Sequence, residues 1–571
     1  MMDGGSEIGR MRSDRAHTAA DDCEIARLRD EVDVVDARLE SLFEERMDAV
    51  ARIAACKQAR GARVFDADRE REKLASVASR ADLRYADSTA SFFEALMGLS
   101  RRYQRLMIED SLEAAVGFEG SACSSKAAGP IYGLVGRSLS HSYSPVLHAL
   151  LGRYPYNLFE VEPDELESFV CGGSYAGLNV TIPYKEAVMP LCDDLSSAAR
   201  AIGCVNTIVR ASDGSLYGDN TDYQGFSYML DASGVRIAGA KALIVGAGGA
   251  SKTARAVLEE KGAREVAVVS RSLDGGIEAA DRHYDADIVV NTTPVGMYPH
   301  CPASPIDLLP FCTTGETRQG YADGLSAVFD VVYNPVRTGL LLQAEKLRIP
   351  HAGGLSMLVA QAKRASELFQ GAALSDDVVE AAAACVERRM RNVVLIGMPG
   401  AGKSTVGSCV ARLMGRRFVD VDEFVADEAG VSVEALFASR GEEAFRRLES
   451  EAIARLGCES GLVIACGGGV VTRPCNYDFL HQNATIVWVR RPLGLLAVQG
   501  RPISRARGVE VLAQERYRLY EAWADAAIDN DGAVEDAASS TVDAVDAHMR
   551  KEQERRWRMM EDAQAGCMRF W

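Results

Sequence analysis

Two stretches of the chain decide what it can fold into: KALIVGAGGASKTARAVLEEKGAREVAVVSRS over 241–272 and NVVLIGMPGAGKST over 392–405. Each passes from a strand-length apolar run through a glycine turn into helical periodicity. That opens a β-α unit, which can bury its strand only in a parallel sheet covered by helices. Both turns also gather backbone N–H groups at a helix N-terminus, where phosphate oxygens bind. At least two α/β domains are required. The 571 residues call for more, because single cores stop growing near about 250–300 residues and domains average roughly 150.

Residues 1–20 are small, polar and without periodicity, which predicts a flexible tail. From 23 to 60 the apolar positions Ile25, Leu28, Val32, Val35, Leu39, Leu42, Met47, Val50 and Ile53 recur every third or fourth residue, uninterrupted by Pro or Gly. That is one amphipathic helix about 55 Å long at 1.5 Å per residue, too long for one small helical domain to cover. A second copy packed against it solves the problem, so a homodimer is expected. Helices at 66–80 and 87–116 complete an all-α module over 21–118. A linker at 119–130 leads to an α/β domain at 131–372, with a substrate lobe (131–230 and 350–372) and a nucleotide lobe (231–349). A helical connector at 373–390, a second α/β domain at 391–549 and a frayed tail at 550–571 complete the expected order.

Composition narrows the partners. Hydrophobic residues at 47% and charged residues at 25% are ordinary for folded chains, whereas the net charge of −17 repels nucleic acid and anionic lipid. Neither is an expected partner, and no run approaches the roughly 18 apolar residues of a membrane span. The 14 cysteines lack zinc-site spacing and no secretory leader precedes them, so reduced thiols in a cytoplasm are expected. Small anionic substrates then need local basic pockets.

The second glycine turn, GMPGAGKS over 397–404, fits GxxxxGK[ST] after a strand. Gly400, Gly402 and Thr405 belong to its phosphate cradle, Lys403 reaches the outer phosphates and Ser404 holds Mg²⁺, so ATP and Mg²⁺ are the expected ligands. In FVDVDEF, strand alternation puts Asp420 and Asp422 on one face. Arg446, the turn Gly467, Gly468 and Gly469, Arg501 and Arg516 add cations and close backbone approach, a set suited to a small anionic acceptor. In motif order and spacing this third of the chain resembles shikimate kinase. The resemblance implies that Asp420 assists the metal and that Asp422, Arg446, Gly467 to Gly469 and Arg516 bind shikimate. Asp422 would handle the acceptor hydroxyl and Arg501 would be a lid arginine.

The first glycine turn places Gly246, Gly248 and Gly249 between strand and helix. At the end of its second strand, where an NAD site offers an acid, Ser270, Arg271 and Ser272 offer a cation and hydroxyls, which favours the 2′-phosphate of NADP(H). Ser142 and Ser144 could hold a carboxylate without charge, and Lys185 with Asp222 could move a proton at a reacting oxygen. Together with GLNVTIPYK, CVNT, GDNTD, NTTPVGMYP, VVYNP and GGLSMLVAQA, these segments resemble shikimate dehydrogenase. The resemblance implies that Ser142, Ser144, Thr181, Asn206, Asp222, Tyr333 and Gln361 surround shikimate, that Lys185 and Asp222 are the catalytic pair, and that Met357 lies beside the cofactor. LDGG stands where the family commonly has another arginine, so a weaker NADP preference is expected.

In the helical module Arg29, Arg46 and Lys57 lie on the long helix, and DADRE supplies Asp66, Arg69 and Glu70. With IEDS and its Ser111, this resembles the all-helical chorismate mutases, whose interlocked subunits share helices. The resemblance implies that Arg29 acts on the partner's site, Arg46 binds a carboxylate, Lys57 the ether oxygen and Glu70 the hydroxyl. Asp66, Arg69 and Ser111 would complete the pocket. Ala115 stands where the family usually has a glutamine or glutamate, so reduced or pH-shifted turnover is expected. The combined expectation is a multifunctional aromatic-biosynthesis enzyme. Two alternatives stand beside it: a non-catalytic N-terminal dimerisation or ligand-sensing module, and a quinate-using, NAD-linked dehydrogenase, against which Arg271 and the attached kinase argue.

Overall fold

The computed structural model describes residues 6–60, 64, 66–82, 84–116, 130–139, 142–313, 324–496 and 508–564. It divides into two compact units, 1–108 and 109–571. The linker expected at 119–130 lies outside the described residues apart from Pro130.

The first unit holds α1 (Ser6–Ala59), α2 (Ala67–Arg80) and most of α3 (Ala86–Val116). With 54 residues, α1 is about 80 Å long. It starts at Ser6, which corrects the tail expected at 1–20. Once the amphipathic stretch has nucleated, each preceding residue adds one hydrogen bond, and no proline stops it. Val50, Ala54, Val77, Leu96, Met97 and Ile108 are buried, whereas Ile25, Leu28, Val32, Val35, Leu39 and Leu42 are 46–57% exposed. The apolar stripe is real, and half of it has no cover within this unit.

The second unit contains three sheets. Strands β1 (Tyr132–Gly136), β2 (Tyr156–Glu160), β3 (Gly177–Val180), β4 (Asp194–Leu195), β5 (Thr207–Arg210) and β6 (Leu216–Asp219) form a mixed sheet in the order β2-β1-β3-β5-β6-β4. Next come β7 (Lys241–Val245), β8 (Glu265–Val269), β9 (Ile288–Asn291), β10 (Ala327–Asp330) and β11 (His351–Ala352), all parallel in the order β11-β10-β9-β7-β8. The third sheet, also parallel, is β13 (Arg417–Asp420), β14 (Leu462–Ala465), β12 (Asn392–Ile396), β15 (Ala484–Arg490) and β16 (Ala526–Asp529) in that order. Every residue of β7 and β12 is buried, as strands covered on both faces require.

The helices that position the sites are α4 (Ser144–Leu151), α5 (Asp222–Ser233), α6 (Gly249–Glu260), α7 (Gly339–Lys346), α8 (Leu355–Gln370), α9 (Asp377–Met390), α10 (Lys403–Met414), α11 (Val421–Ala429), α12 (Val433–Cys458), α13 (Cys475–His481), α14 (Val509–Trp523) and α15 (Val534–Gln564). The chain returns after β11 so that α8 packs on α4 and α5. Two elements differ from expectation. The connector α9 is buried along nearly its whole length, including Glu380 and Glu387. Helix α15 does not fray after 549; it continues to Gln564 and packs against α5, α9 and α10. Its charges are paired: Arg556 with Glu387 at 2.8 Å, and Glu552 with Arg391 at 2.5 Å and Arg337 at 3.0 Å. Glu387 and Arg391 are buried, whereas Arg556 and Glu552 lie over them half-buried, so this segment is a clasp rather than a tail.

Candidate functional site

In the third sheet, β12 runs into the glycine turn and α10 begins at Lys403 with Gly402 as its N-cap. The Lys403 ammonium donates to the carbonyls of Gly397 and Met398, both at 3.0 Å, and so lies along the turn that would hold phosphates. Ser404 Oγ donates to Asp420 Oδ2 at 2.5 Å. Thr405 follows on the exposed side of α10. The expected strand pairing of Asp420 and Asp422 is corrected: Asp420 ends β13 and caps α11, accepting from the backbone N–H groups of Asp422 and Glu423, and Asp422 lies in the first helical turn. Helix geometry, not alternation, carries Asp422 inward.

Asp422 meets the turn after β14. A Cβ on Gly467 would stand 2.5 Å from Glu449 Oε1 and 2.7 Å from Asp422 Oδ1, and one on Gly469 would collide with the Arg446 guanidinium. Only glycine leaves room for these groups. Arg446 donates to Glu449 at 2.6 Å, and Arg516 and Tyr520 on α14 donate to the Gly468 carbonyl at 3.0 and 2.5 Å. Asp422 Oδ1, Glu449 Oε1 and the Nε groups of Arg446 and Arg516 are buried without a hydrogen-bond partner. Buried polar atoms are rarely left so, and this cluster is built for a polar ligand carrying both acceptors and hydroxyls. Burial first, then the charges of Glu449 and Asp420, push the Asp422 carboxyl up to about 6. Glu449, which GEEAFRRLE already set beside Arg446 in sequence, belongs to this cluster, whereas Tyr520 was absent from the expected site; it lies one turn beyond Arg516, a spacing that puts both on one face. Arg501 lies outside the described residues.

In the dehydrogenase-like region Lys185, after β3, and Asp222, the first residue of α5, form an ion pair of 2.6 Å. The helix N-terminus favours the carboxylate there. Asn206 Oδ1 accepts from the Thr221 backbone at 2.7 Å and from the hydroxyls of Thr207 and Thr221 at 3.1 Å, which fixes the start of α5 and leaves the amide N–H₂ to donate. Ser142 and Ser144 are adjacent, the Ser142 hydroxyl accepting from the Ser144 backbone at 3.2 Å. Thr181 hydrogen-bonds through its backbone to β1, Tyr333 follows β10, and Gln361 lies on α8 against α5. Buried Cys204 sits beside the Lys185–Asp222 pair, a neighbour the sequence did not single out.

The nucleotide lobe places Gly246 at φ 121°, where a Cβ would lie 2.5 Å from Thr292 Oγ1. Gly248 caps α6 and Gly249 starts it, with open space in front of Gly248. After β8, the Ser270 hydroxyl meets the Ser272 hydroxyl at 2.9 Å and accepts from its backbone at 3.1 Å, while Arg271 is exposed. Met357 is 7% exposed and packs against the core of this lobe.

In the helical unit Arg46 donates to the Ser100 hydroxyl and Glu70 pairs with Arg101, both reaching α3, and Lys57 donates to the Val64 carbonyl at 2.6 Å. Burial lowers the pKa of Arg46. Asp66 serves as the N-cap of α2, Arg69 pairs with Glu72 at 3.4 Å on the surface, and Arg29 is exposed. Ser111 falls in the last two turns of α3.

Family models match three segments: chorismate mutase type II at 28–105, the shikimate dehydrogenase substrate binding domain at 134–208, and shikimate kinase at 399–546. Shikimate dehydrogenase (NADP(+)) of Clostridium beijerinckii is 34% identical over 268 residues, spanning 44% of this chain and 95% of that protein. Its counterpart in Methanopyrus kandleri is 38% identical over 272 residues, spanning 42% of this chain and 90% of that protein. Among solved structures, a chorismate mutase/shikimate 5-dehydrogenase fusion protein from Clostridium acetobutylicum is 32% identical, with a TM-score of 0.40, covering 46% of this chain and 98% of its own. No helix among the described residues is long and apolar enough to cross a membrane. The chain belongs to the shikimate dehydrogenase family, and it is a multifunctional shikimate-pathway enzyme that joins this dehydrogenase to a chorismate mutase domain and a shikimate kinase domain.

Proposed function

We propose that this chain reduces 3-dehydroshikimate to shikimate with NADPH and phosphorylates the 3-hydroxyl of shikimate with ATP. The carrying observation is the contrast of two pockets within one unit: a Lys185–Asp222 pair at 2.6 Å, and a buried cluster in which Asp422, Glu449, Arg446 and Arg516 retain unpartnered atoms. In the first, NADPH supplies a hydride to the carbonyl carbon when bound. Lys185 gives its proton to the carbonyl oxygen, and Asp222 holds the ammonium in place. Ser142 and Ser144 hold the carboxylate, while Asn206, Thr181, Gln361 and Tyr333 orient the ring. Arg271 with Ser270 and Ser272 receives the 2′-phosphate. The curated relatives bear the NADP(+) name, so the NAD-linked quinate reading is not favoured.

In the second pocket Asp422 accepts the proton of the 3-hydroxyl, and Arg446 and Arg516 clamp the carboxylate. Lys403 and the backbone of Gly400 and Gly402 hold the outer phosphates. Ser404 Oγ and Asp420 Oδ2, 2.5 Å apart, are an oxygen pair that fits Mg²⁺, which when bound screens phosphate charge. The helical unit would rearrange chorismate to prephenate, with Arg46 and Lys57 holding a compact dianion. A second copy covering the exposed stripe from Ile25 to Leu42 would bring Arg29 to the partner's pocket. We place the enzyme in the cytoplasm, where its free thiols persist.

Supplying 3-dehydroshikimate, NADPH and Mg-ATP and following shikimate 3-phosphate tests the reading. Lys185→Ala should block formation of shikimate, and Lys403→Ala should let shikimate accumulate unphosphorylated. Phosphorylated product from either variant at the parent rate would defeat it.

A further inference from the structure

The segment after β10 does two things at once. Asp330, buried at the strand's end, binds both ends of it: Oδ1 accepts from the Val332 backbone at 3.0 Å and Oδ2 from the Thr338 hydroxyl at 2.6 Å. Asn291 donates to the same carboxylate at 3.0 Å, so the base of the loop is rigid. Tyr333 lies on this loop, set edge-on to the Tyr143 ring at 6.2 Å between centroids. Tyr143 itself stands between Ser142 and Ser144. The tip of the loop is gripped from the kinase side.

The tip has partners on both sides: the Tyr298 backbone donates to the Asn334 carbonyl at 3.1 Å and Glu345 of α7 lies 3.7 Å from Arg337, and the remaining contacts come from the kinase fold. The Arg337 backbone donates to the Gln482 carbonyl at 2.9 Å, and its guanidinium donates to the His481 carbonyl at 3.0 Å and to Glu552 of α15 at 3.0 Å. Ser460, in the turn between α12 and β14, donates to Asn334 Oδ1 at 3.3 Å and accepts from Asn483 at 3.2 Å. One kinase hydroxyl therefore holds the loop beside Tyr333, whose ring in turn meets the Tyr143 ring between the two serines. Arg337 is only 12% exposed, so its contacts are not the screened surface kind.

We infer that the kinase fold is a positioning element of the dehydrogenase substrate pocket, with Arg337 and Ser460 as the positioning residues that hold Tyr333 and the Ser142–Ser144 segment in register. The inference rests on the assignment of Tyr333 and the two serines to the shikimate pocket. The dock is remote from the kinase's own site, because Ser460 and Gln482 precede β14 and β15, whereas the phosphate turn, Asp422 and Gly467 to Gly469 follow the opposite ends of the kinase strands. Shikimate binding to the dehydrogenase should depend on the dock, and shikimate phosphorylation should not.

In the full chain, Arg337→Ala and Ser460→Ala should raise the dehydrogenase KM for shikimate by about 3-fold to 30-fold, the range over which network residues modulate coupling. The KM for NADP and both kinase constants should stay at parent values, which also certifies folding of each variant. Arg337→Lys, which keeps one donor, should recover part of the effect. Lys346→Ala, which removes the exposed Lys346–Asp478 bridge at 2.6 Å, should change nothing. Tyr333→Phe separates two failures. If it raises the shikimate KM while Arg337→Ala and Ser460→Ala do not, the dock is overturned and the pocket stands. If it leaves the KM unchanged, the pocket assignment falls and the proposal with it.

Discussion

The two pockets that handle shikimate solve opposite electrostatic problems. At the dehydrogenase site a cation and a carboxylate satisfy each other, Lys185 to Asp222 at 2.6 Å, with the lysine side chain 28% exposed. At the kinase site Asp422 is buried near two other carboxylates, Glu449 and Asp420, and its Oδ1 has no partner. The first arrangement stores a proton on a charged donor held in place. The second keeps a carboxylate reluctant to ionise until a hydroxyl arrives, which brings its basicity close to neutral pH. Each site thus depends on the property the other lacks.

The largest test of that contrast is exchange of function. Asp422→Asn should lower kcat for phosphorylation by about 10² to 10⁴ and leave reduction untouched, and Lys185→Ala should do the reverse; initial rates of each half-reaction decide. Loss of both activities in either variant would break the contrast. Next in size, Arg516→Lys keeps the charge but loses the fork now split between the Gly468 carbonyl and an unpartnered Nε. A charged hydrogen bond is worth about 1.5–3 kcal/mol, so the kinase KM for shikimate should rise roughly tenfold to a hundredfold, with a smaller change in kcat.

The pH profile sharpens the comparison further. Asp422 must be ionised to accept a proton, and its carboxyl is pushed up to about 6 by burial and by the charges of Glu449 and Asp420. Phosphorylation should therefore fall as pH drops through about 6. Glu449→Gln removes a like charge and should move that limb toward lower pH. A limb that stays in place would mean that Glu449 does not act on Asp422.

How legible these features were depends on the distance between the residues that make them. The glycine turns, Lys403, Ser404 and the Ser270 to Ser272 segment are local patterns, and their neighbours in sequence are their neighbours in space. Asp420 was misread although a local signal existed: an acid followed three residues later by Glu423 before an apolar run is a helix-capping pattern. Helix α15 was not legible. Glu552 and Arg556 read as a solvated charged tail because their partners Arg391, Arg337 and Glu387 lie 161, 215 and 169 positions away. The burial of α9 was hidden for the same reason, since Glu387 meets Arg556 and Glu380 meets Tyr228 only across long separations in sequence. The opening turns of α1 were missed because composition hides a helix that grows from a nucleus further along.

The smallest effect follows from the cost of keeping Asp422 basic. Its folded carboxyl titrates at about 6 against an ordinary 3.8, so the folded state binds the proton more tightly than the unfolded chain. That contribution is fully present below pH 3.8 and is lost as pH rises through about 6, leaving a buried charge that disfavours folding at pH 8. Asp422→Asn removes the charge while keeping the shape. Without ligands, the kinase thermal midpoint should rise at pH 8 by about 2–4 °C for each kcal/mol recovered, and the gain should shrink as pH falls from about 6 toward 4. Equal midpoints at pH 8 would show that Asp422 is not strained, and the contrast with the self-satisfied Lys185–Asp222 pair would then rest on geometry alone.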